Sequence, residues 1–191
     1  HLNLADECNA AIYGAKVATK LAVPQVKAFS INEMLRELWF SWRDEAEQQG
    51  IDAFLMWPPG NPPLHVAGDP MLIGRVVRNL ILNAIMYAGK GSNILFSVRK
   101  RKTHALVQVW NSGAGIPGYD SRDGEANFAA FAQQMLEEGQ RRGDGHGLGI
   151  DNVKHLSIAL GLRMTMQSRV GVGTVFGFRI PLAEYRLMAY T

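Results

Sequence analysis

The chain has 191 residues, 47% of them hydrophobic and 19% charged, an ordinary globular balance that excludes a disordered or fibrous chain. Its net charge of +3 is too small to argue for a nucleic-acid partner, its one cysteine, Cys8, excludes an internal disulfide framework or a cysteine-built zinc site, and no run of eighteen apolar residues reads as a membrane span. The length suits one domain of about 150 residues with a short appendage, and an opening at His1 with neither Met nor a signal-peptide pattern points to a piece of a longer protein.

Residues 2–21 are Ala-rich with only Gly14 as a breaker, and predict a helix that Pro24 ends. Phe29-Ser30-Ile31-Asn32-Glu33-Met34 spells a helix start, with Ser30 as N-cap, Glu33 in the capping-box position, and Phe29 and Met34 as a hydrophobic staple. Ile31, Met34, Leu35, Leu38, Trp39, Trp42 and Ala46 form one helical stripe, and Gly50 stops it. A strand is expected over 52–57, a Pro-rich loop over 58–63 and a small edge strand over 64–66. Asp69-Pro70 is a second helix start, N-cap then Pro in the first turn, for a helix that runs to about Ala88 and ends at Gly89.

Two strands follow, 93–98 and 105–110. The basic run Arg99 to Lys102 between them reads as a solvated hairpin tip, since no aromatic residues interleave with it as a single-strand groove needs. Residues 113–149 are polar and Gly-rich, with a modest helical patch at 128–138, and a loop of that length is expected to be a functional lid or disordered. A helix over 148–160 closes at Gly161, and two strands, 163–168 and 174–180, are joined by Val170-Gly171-Val172-Gly173. The mixture predicts a two-layer α/β sandwich, with helices on one face of a mixed, mostly antiparallel sheet.

Four features carry candidate chemistry. In helix 69–88, Ile73, Val76, Val77, Leu80, Ala84 and Ala88 share one face, with Arg75, Asn79, Asn83 and Met86 on its flank. Asn is a poor helix former, so the pair Asn79 and Asn83 either bonds a neighbouring loop or offers oxygen to Mg²⁺ that also holds phosphate. Asn111-Ser112-Gly113-Ala114-Gly115 is either a simple turn or a place where backbone meets a flat ligand whose edge Asn111 bonds. Gly143 to Gly149 opens a helix with glycines and backbone N–H groups, a weak anion-site pattern that is neither a dinucleotide fingerprint nor a P-loop. Gly171-Val172-Gly173-Thr174 alone is an ordinary hairpin turn. His65, His104 and His155 have no ligand spacing, and His146 reads as a lid residue without a chemical role.

In this order and spacing the features resemble the ATP-binding domain of sensor histidine kinases, the Bergerat-fold family shared with topoisomerase and chaperone ATPases. Residues 79–87 resemble its N box, 111–117 its G1 box, Phe128-Ala129-Ala130-Phe131 its F box, 145–150 its G2 box and 171–176 its last glycine box. The resemblance implies a histidine-kinase-like domain over 26–183, a preceding dimerisation-domain helix end at 1–22 and a tail at 184–191. It implies ATP and Mg²⁺ as cofactors. Asn83 would ligate Mg²⁺ and Asn79 assist near phosphate. Tyr87 would pack near the nucleotide, and Asn111 and Thr174 would meet adenine. Gly113, Gly115, Gly145, Gly147, Leu148 and Gly149 would bring backbone to the ligand, and 118–147 would be the lid.

The resemblance also implies γ-phosphoryl transfer to a histidine outside the chain, a homodimer through the dimerisation domain, a response regulator or receiver partner, no nucleic acid, and a cytoplasmic place below a membrane sensor. Family ATPases that hydrolyse ATP place Glu at position 79; Asn79 fits phosphoryl transfer better. Asn111 stands where Asp is usual, and Met86 where Lys is common. Those departures feed an alternative, a degenerate non-catalytic docking module. A serine kinase of the same fold is a further alternative, against which the helix at 2–21 argues.

Overall fold

The computed structural model describes residues 23–56, 62–142 and 148–187. The helix expected over 2–21, most of the Pro-rich loop, and Gly143, Gly145 and Gly147 lie outside these residues. Among the described residues the chain runs β1 (Lys27–Ser30), α1 (Ile31–Gln48), β2 (Asp52–Met56), β3 (His65–Gly68), α2 (Pro70–Ala88), β4 (Asn93–Lys100), β5 (His104–Ser112), α3 (Gly124–Arg142), α4 (Leu148–Leu160), β6 (Met164–Arg169), β7 (Gly173–Pro181) and α5 (Ala183–Leu187).

Five strands form one sheet in the order β2-β4-β5-β7-β6, in which only the β2–β4 pair is parallel. Strand alternation sorts its faces. Ile94, Phe96 and Val98 on β4, and Val107 and Val109 on β5, are buried and face the helices. On the opposite face, Phe54, Leu95, Trp110 and Val175 stand in one row across four strands, with Phe54 and Trp110 exposed. The helical layer is built on α2, whose Ile73, Val76, Val77, Leu80, Ile81 and Ala84 are all but inaccessible, and on α4, through Ile150, Val153 and Leu156. This is the two-layer sandwich that the pattern predicts. By length and composition α2 could cross a bilayer, but 61% of its apolar window is buried inside the protein; it is the core helix.

The caps follow the sequence. Ser30 Oγ accepts the Glu33 N–H at 3.2 Å. Asp69 Oδ1 accepts from Met71 N at 3.0 Å and Leu72 N at 3.1 Å, which satisfies two donors of the first turn. The basic run forms a hairpin turn, closed by Arg101 N donating to the His104 carbonyl at 2.8 Å.

Three expectations change. Residues 27–30 were expected only to lead into α1, yet they form β1, which pairs antiparallel with β3 as a separate two-stranded sheet. Of the expected tail, residues 184–187 belong to α5, whose first residue, Ala183, is buried, as is Leu182 before it. The largest change is the middle segment. In place of a long lid with a short helical patch, α3 spans 19 residues and packs on β6. Phe128, Phe131, Ala132 and Met135, spaced as one helix face, are buried in the main core.

Both sheet edges are covered. Trp39 Nε1 donates to the Ala53 carbonyl on β2 at 3.3 Å. Asn127 Nδ2 donates to the Met166 carbonyl on β6 at 3.2 Å. Helices α1 and α3 thus blunt edges that would otherwise invite strand pairing.

Candidate functional site

Asn79 and Asn83 are each 6% exposed, so they do not sit on a solvated flank. The first turn of α4 lies over them. A Cβ added to Gly149 would stand 3.5 Å from Asn83 Oδ1 and 3.7 Å from Asn79 Oδ1. Glycine at that position adds no side chain of its own above the two amides. Asn79 Nδ2 is held by its own helix, donating to the Arg75 carbonyl at 2.9 Å. Asn83 Nδ2 is buried and has no hydrogen-bond partner among the described residues. An unmatched buried donor costs about 1–3 kcal/mol, so one kept in a native fold calls for an explanation, and a bound ligand supplies one. A carboxamide with a spare N–H and a carbonyl oxygen suits a phosphate oxygen at one end and Mg²⁺ at the other.

The far end of α2 meets the turn after β5. A Cβ on Gly113 would lie 3.0 Å from the Ala88 carbonyl oxygen and 3.7 Å from that of Tyr87. Asn111, 7% exposed, is the last residue but one of β5, on the helix-facing side, and pairs across the strands with Ile94 and Thr174. Its Nδ2 reaches the Ser112 carbonyl only at 3.4 Å, near the limit of a hydrogen bond. Gly115 has φ +66°, and a Cβ there would collide with the Arg169 carbonyl. That close approach lets Ala114 accept the Gly171 N–H at 2.8 Å, which locks the β5 turn to the β6–β7 turn. Gly173, at φ +140°, leaves no room for a Cβ against the Asn111 carbonyl.

Thr174 is buried beside Ser168, their hydroxyl oxygens 2.7 Å apart. Ser168 also accepts from Ile116 N at 2.8 Å and donates to the Gly173 carbonyl at 3.1 Å. The sequence reading passed over Ser168. Its signal was a polar residue in the core-facing register of Met164 and Met166. Asn127 was also missed: its Nδ2 additionally donates to the carbonyls of Tyr119 at 3.0 Å and Ser121 at 3.1 Å. The F-box aromatics serve as anchors. Phe128 and Phe131 lie against Phe176, and Phe131 edges onto Tyr119 at 5.7 Å. Burial, then the nearby Glu138 carboxylate, pushes the Tyr119 phenol above its ordinary value. It stays a donor, to Gln134 Oε1 at 2.6 Å.

The structure therefore brings Asn79, Asn83 and Gly149 together, and Asn111, Gly113, Gly115 and Thr174 together, joined where Gly113 abuts the end of α2. Tyr87 and Met86 are 42% and 60% exposed on the last turn of α2. Leu148 opens α4; Gly145 and Gly147 lie outside the described residues. No cluster of three or more His, Cys, Asp or Glu that could hold a metal exists among the described residues.

Residues 68–184 match the family described as histidine kinase-, DNA gyrase B-, and HSP90-like ATPase. The chain is 34% identical over 125 residues to the signal transduction histidine-protein kinase BarA of Escherichia coli strain K12, covering 63% of this chain and 13% of that protein. It is 28% identical over 159 residues to the sensor-like histidine kinase SenX3 of Mycolicibacterium smegmatis, covering 83% of this chain and 40% of that protein. It thus spans a minor part of these relatives. Among solved structures, the catalytic domain of histidine kinase ThkA superposes with a TM-score of 0.64 at 28% identity, over 83% of this chain and 96% of that domain. The chain belongs to the histidine kinase-, DNA gyrase B- and HSP90-like ATPase family, and within it is homologous to the catalytic domains of sensor histidine kinases.

Proposed function

We propose that the chain is the Mg·ATP-binding catalytic domain of a two-component sensor kinase, which delivers the γ-phosphoryl group of ATP to a histidine on a dimerisation domain. The observation that supports it most is the buried pair Asn79 and Asn83 under Gly149, with Asn83 Nδ2 lacking a partner among the described residues. Asn83 would hold Mg²⁺ through its oxygen; the ion, when bound, neutralises phosphate charge and orients the β- and γ-groups. Asn79 would bond a phosphate oxygen. The N–H groups at the start of α4 would face the phosphates, where a helix start favours anions. Asn111 and Thr174 would meet the adenine edge, Gly113 and Gly115 would admit the ring close to backbone, and Tyr87 would pack alongside.

Asn79, held to the Arg75 carbonyl, is itself no carboxylate base to activate water, which supports transfer over hydrolysis. The partners are a homodimerising phosphoacceptor domain and a response regulator or receiver. ThkA, at 23% identity, has been solved in complex with the response regulator TrrA. The relatives are sensor kinases, which supports a cytoplasmic place for this domain. No observation among the described residues favours a docking module without catalysis.

The test is calorimetric titration with ATP, with and without Mg²⁺. Asn83→Ala is expected to weaken Mg·ATP binding at least tenfold, about 1.4 kcal/mol. The nucleotide-free melting temperature should hold or rise, because a buried unmatched donor is removed. A variant that binds Mg·ATP as the parent does would remove Asn83 from the site.

A further inference from the structure

A serine on the neighbouring strand decides how Thr174 can meet a nucleotide. Ser168 is 3% exposed and stands in register with Thr174 across the β6–β7 pair. Its Oγ lies 2.8 Å from Ile116 N, 3.1 Å from the Gly173 carbonyl oxygen and 2.7 Å from Thr174 Oγ1. A serine hydroxyl has one proton and two lone pairs. The Ile116 N–H can only donate, and the Gly173 oxygen can only accept. If the Ser168 proton points to Gly173, the second lone pair takes the Thr174 proton, and all three contacts are hydrogen bonds. If it points to Thr174, two oxygens face each other at 3.1 Å with no proton between them. In a site this buried the fully bonded arrangement is strongly favoured. The Thr174 proton is then committed, and Thr174 Oγ1 can only accept.

We infer that Ser168 is a positioning residue for base selection: its hydroxyl makes Thr174 an obligate acceptor, matched to the 6-amino group of adenine and mismatched to the 6-oxo group of guanine. This deepens the proposed nucleotide site and rests on it. The residue next to Thr174 across the strands shows why the device matters here. An Asn side chain presents either Oδ1 or Nδ2 by turning over. Asn111 therefore adapts to an amino or an oxo group, whereas a fixed carboxylate accepts only. Discrimination falls to the partner that cannot turn, Thr174 with its proton held by Ser168. The same serine oxygen ties the turn after β5, through Ile116, to the β6–β7 hairpin.

The experiment titrates the 191-residue chain and its variants Ser168→Ala, Ser168→Thr and Thr174→Val with ATP, GTP and purine riboside triphosphate, which has only hydrogen at position 6, at fixed Mg²⁺. The parent should prefer ATP. Ser168→Ala should lower the ATP:GTP affinity ratio about fivefold, the worth of one hydrogen bond, with binding of purine riboside triphosphate little changed. Ser168→Thr keeps the hydroxyl and should keep the ratio. Thr174→Val should lower the ratio as Ser168→Ala does, and combining the two should lower it no further. A Ser168→Ala protein with the parent's ratio, or one weakened equally towards all three nucleotides, overturns the inference. If Ser168→Ala does not fold, Thr174→Val decides, and an unchanged ratio in it overturns the inference too. A parent chain that binds no ATP is a different result, and defeats the proposed function itself.

Discussion

At the scale of single residues, the site uses small groups where folding alone would accept larger ones. A Cβ at position 149 would meet Asn83 Oδ1 and Asn79 Oδ1 at ordinary van der Waals distance. Alanine is the better helix former by up to about 1 kcal/mol. In the first turn of α4, Gly149→Ala should therefore stabilise the nucleotide-free chain by about 0.5 kcal/mol, or roughly 1–2 °C in melting temperature. It should also weaken ATP binding several-fold, since the methyl group occupies ground above both amides. Thermal melts and calorimetry read the two effects separately. A variant that is both more stable and equally tight would mean that Gly149 serves packing alone. Both asparagines were legible in the sequence, because mid-helix Asn contradicts propensity. Their burial was not, because α4 comes over them from about seventy residues downstream.

At the scale of elements, α3 is the clearest lesson. Its apolar residues Phe128, Phe131, Ala132 and Met135 follow helical spacing, but the surrounding glycines and polar residues drew the reading towards a lid. Packing against Phe176 and Tyr119 decides the matter. Asn127 pins the start of the helix, its two amide protons shared among three carbonyls and its Oδ1 accepting from Ser121 Oγ at 2.8 Å. Asn127→Ala leaves those carbonyls without this donor and should cost about 2–3 kcal/mol. The expected result is faster trypsin cleavage at exposed Arg122, just ahead of α3, with the far-ultraviolet spectrum little changed. Cleavage at the parent's rate would show that the aromatics alone hold the helix. Strand β1 was illegible for a different reason. Four residues hold no usable period, and the strand exists because β3 offers it a partner.

At the scale of the molecule, Asp69 joins the entering chain to the core. One oxygen caps α2, and the other accepts the Gln25 N–H at 2.8 Å. The segment leading from residue 23 is thereby fastened to the same helix that carries Asn79 and Asn83. Asp69→Ala should remove cap and fastening together, at a cost of about 2 kcal/mol, or roughly 4–8 °C. Hydrogen exchange at Gln25 should accelerate while exchange within β5 and β7 does not. Equal acceleration throughout would assign the loss to global stability and not to the fastening.

The sequence by itself determined what depends on neighbours along the chain. The caps at Ser30 and Asp69, the stripe of α2, the alternation of β4 and β5 and the glycines after β5 and before β7 are local choices, set by propensity, periodicity and turn sterics. Those local signals, in their order, also carried the resemblance to the kinase ATP-binding domain. Tertiary structure alone decided what depends on segments meeting through space. It buried the amide of Asn83 under Gly149, made an anchored helix of the middle segment, paired β1 with β3, and placed Ser168 against Thr174 and Ile116. A hydrogen bond between residues 52 positions apart, as between Ile116 and Ser168, leaves no periodic trace in the chain. Its geometry is fixed only once the sheet has set the register of β6 on β7.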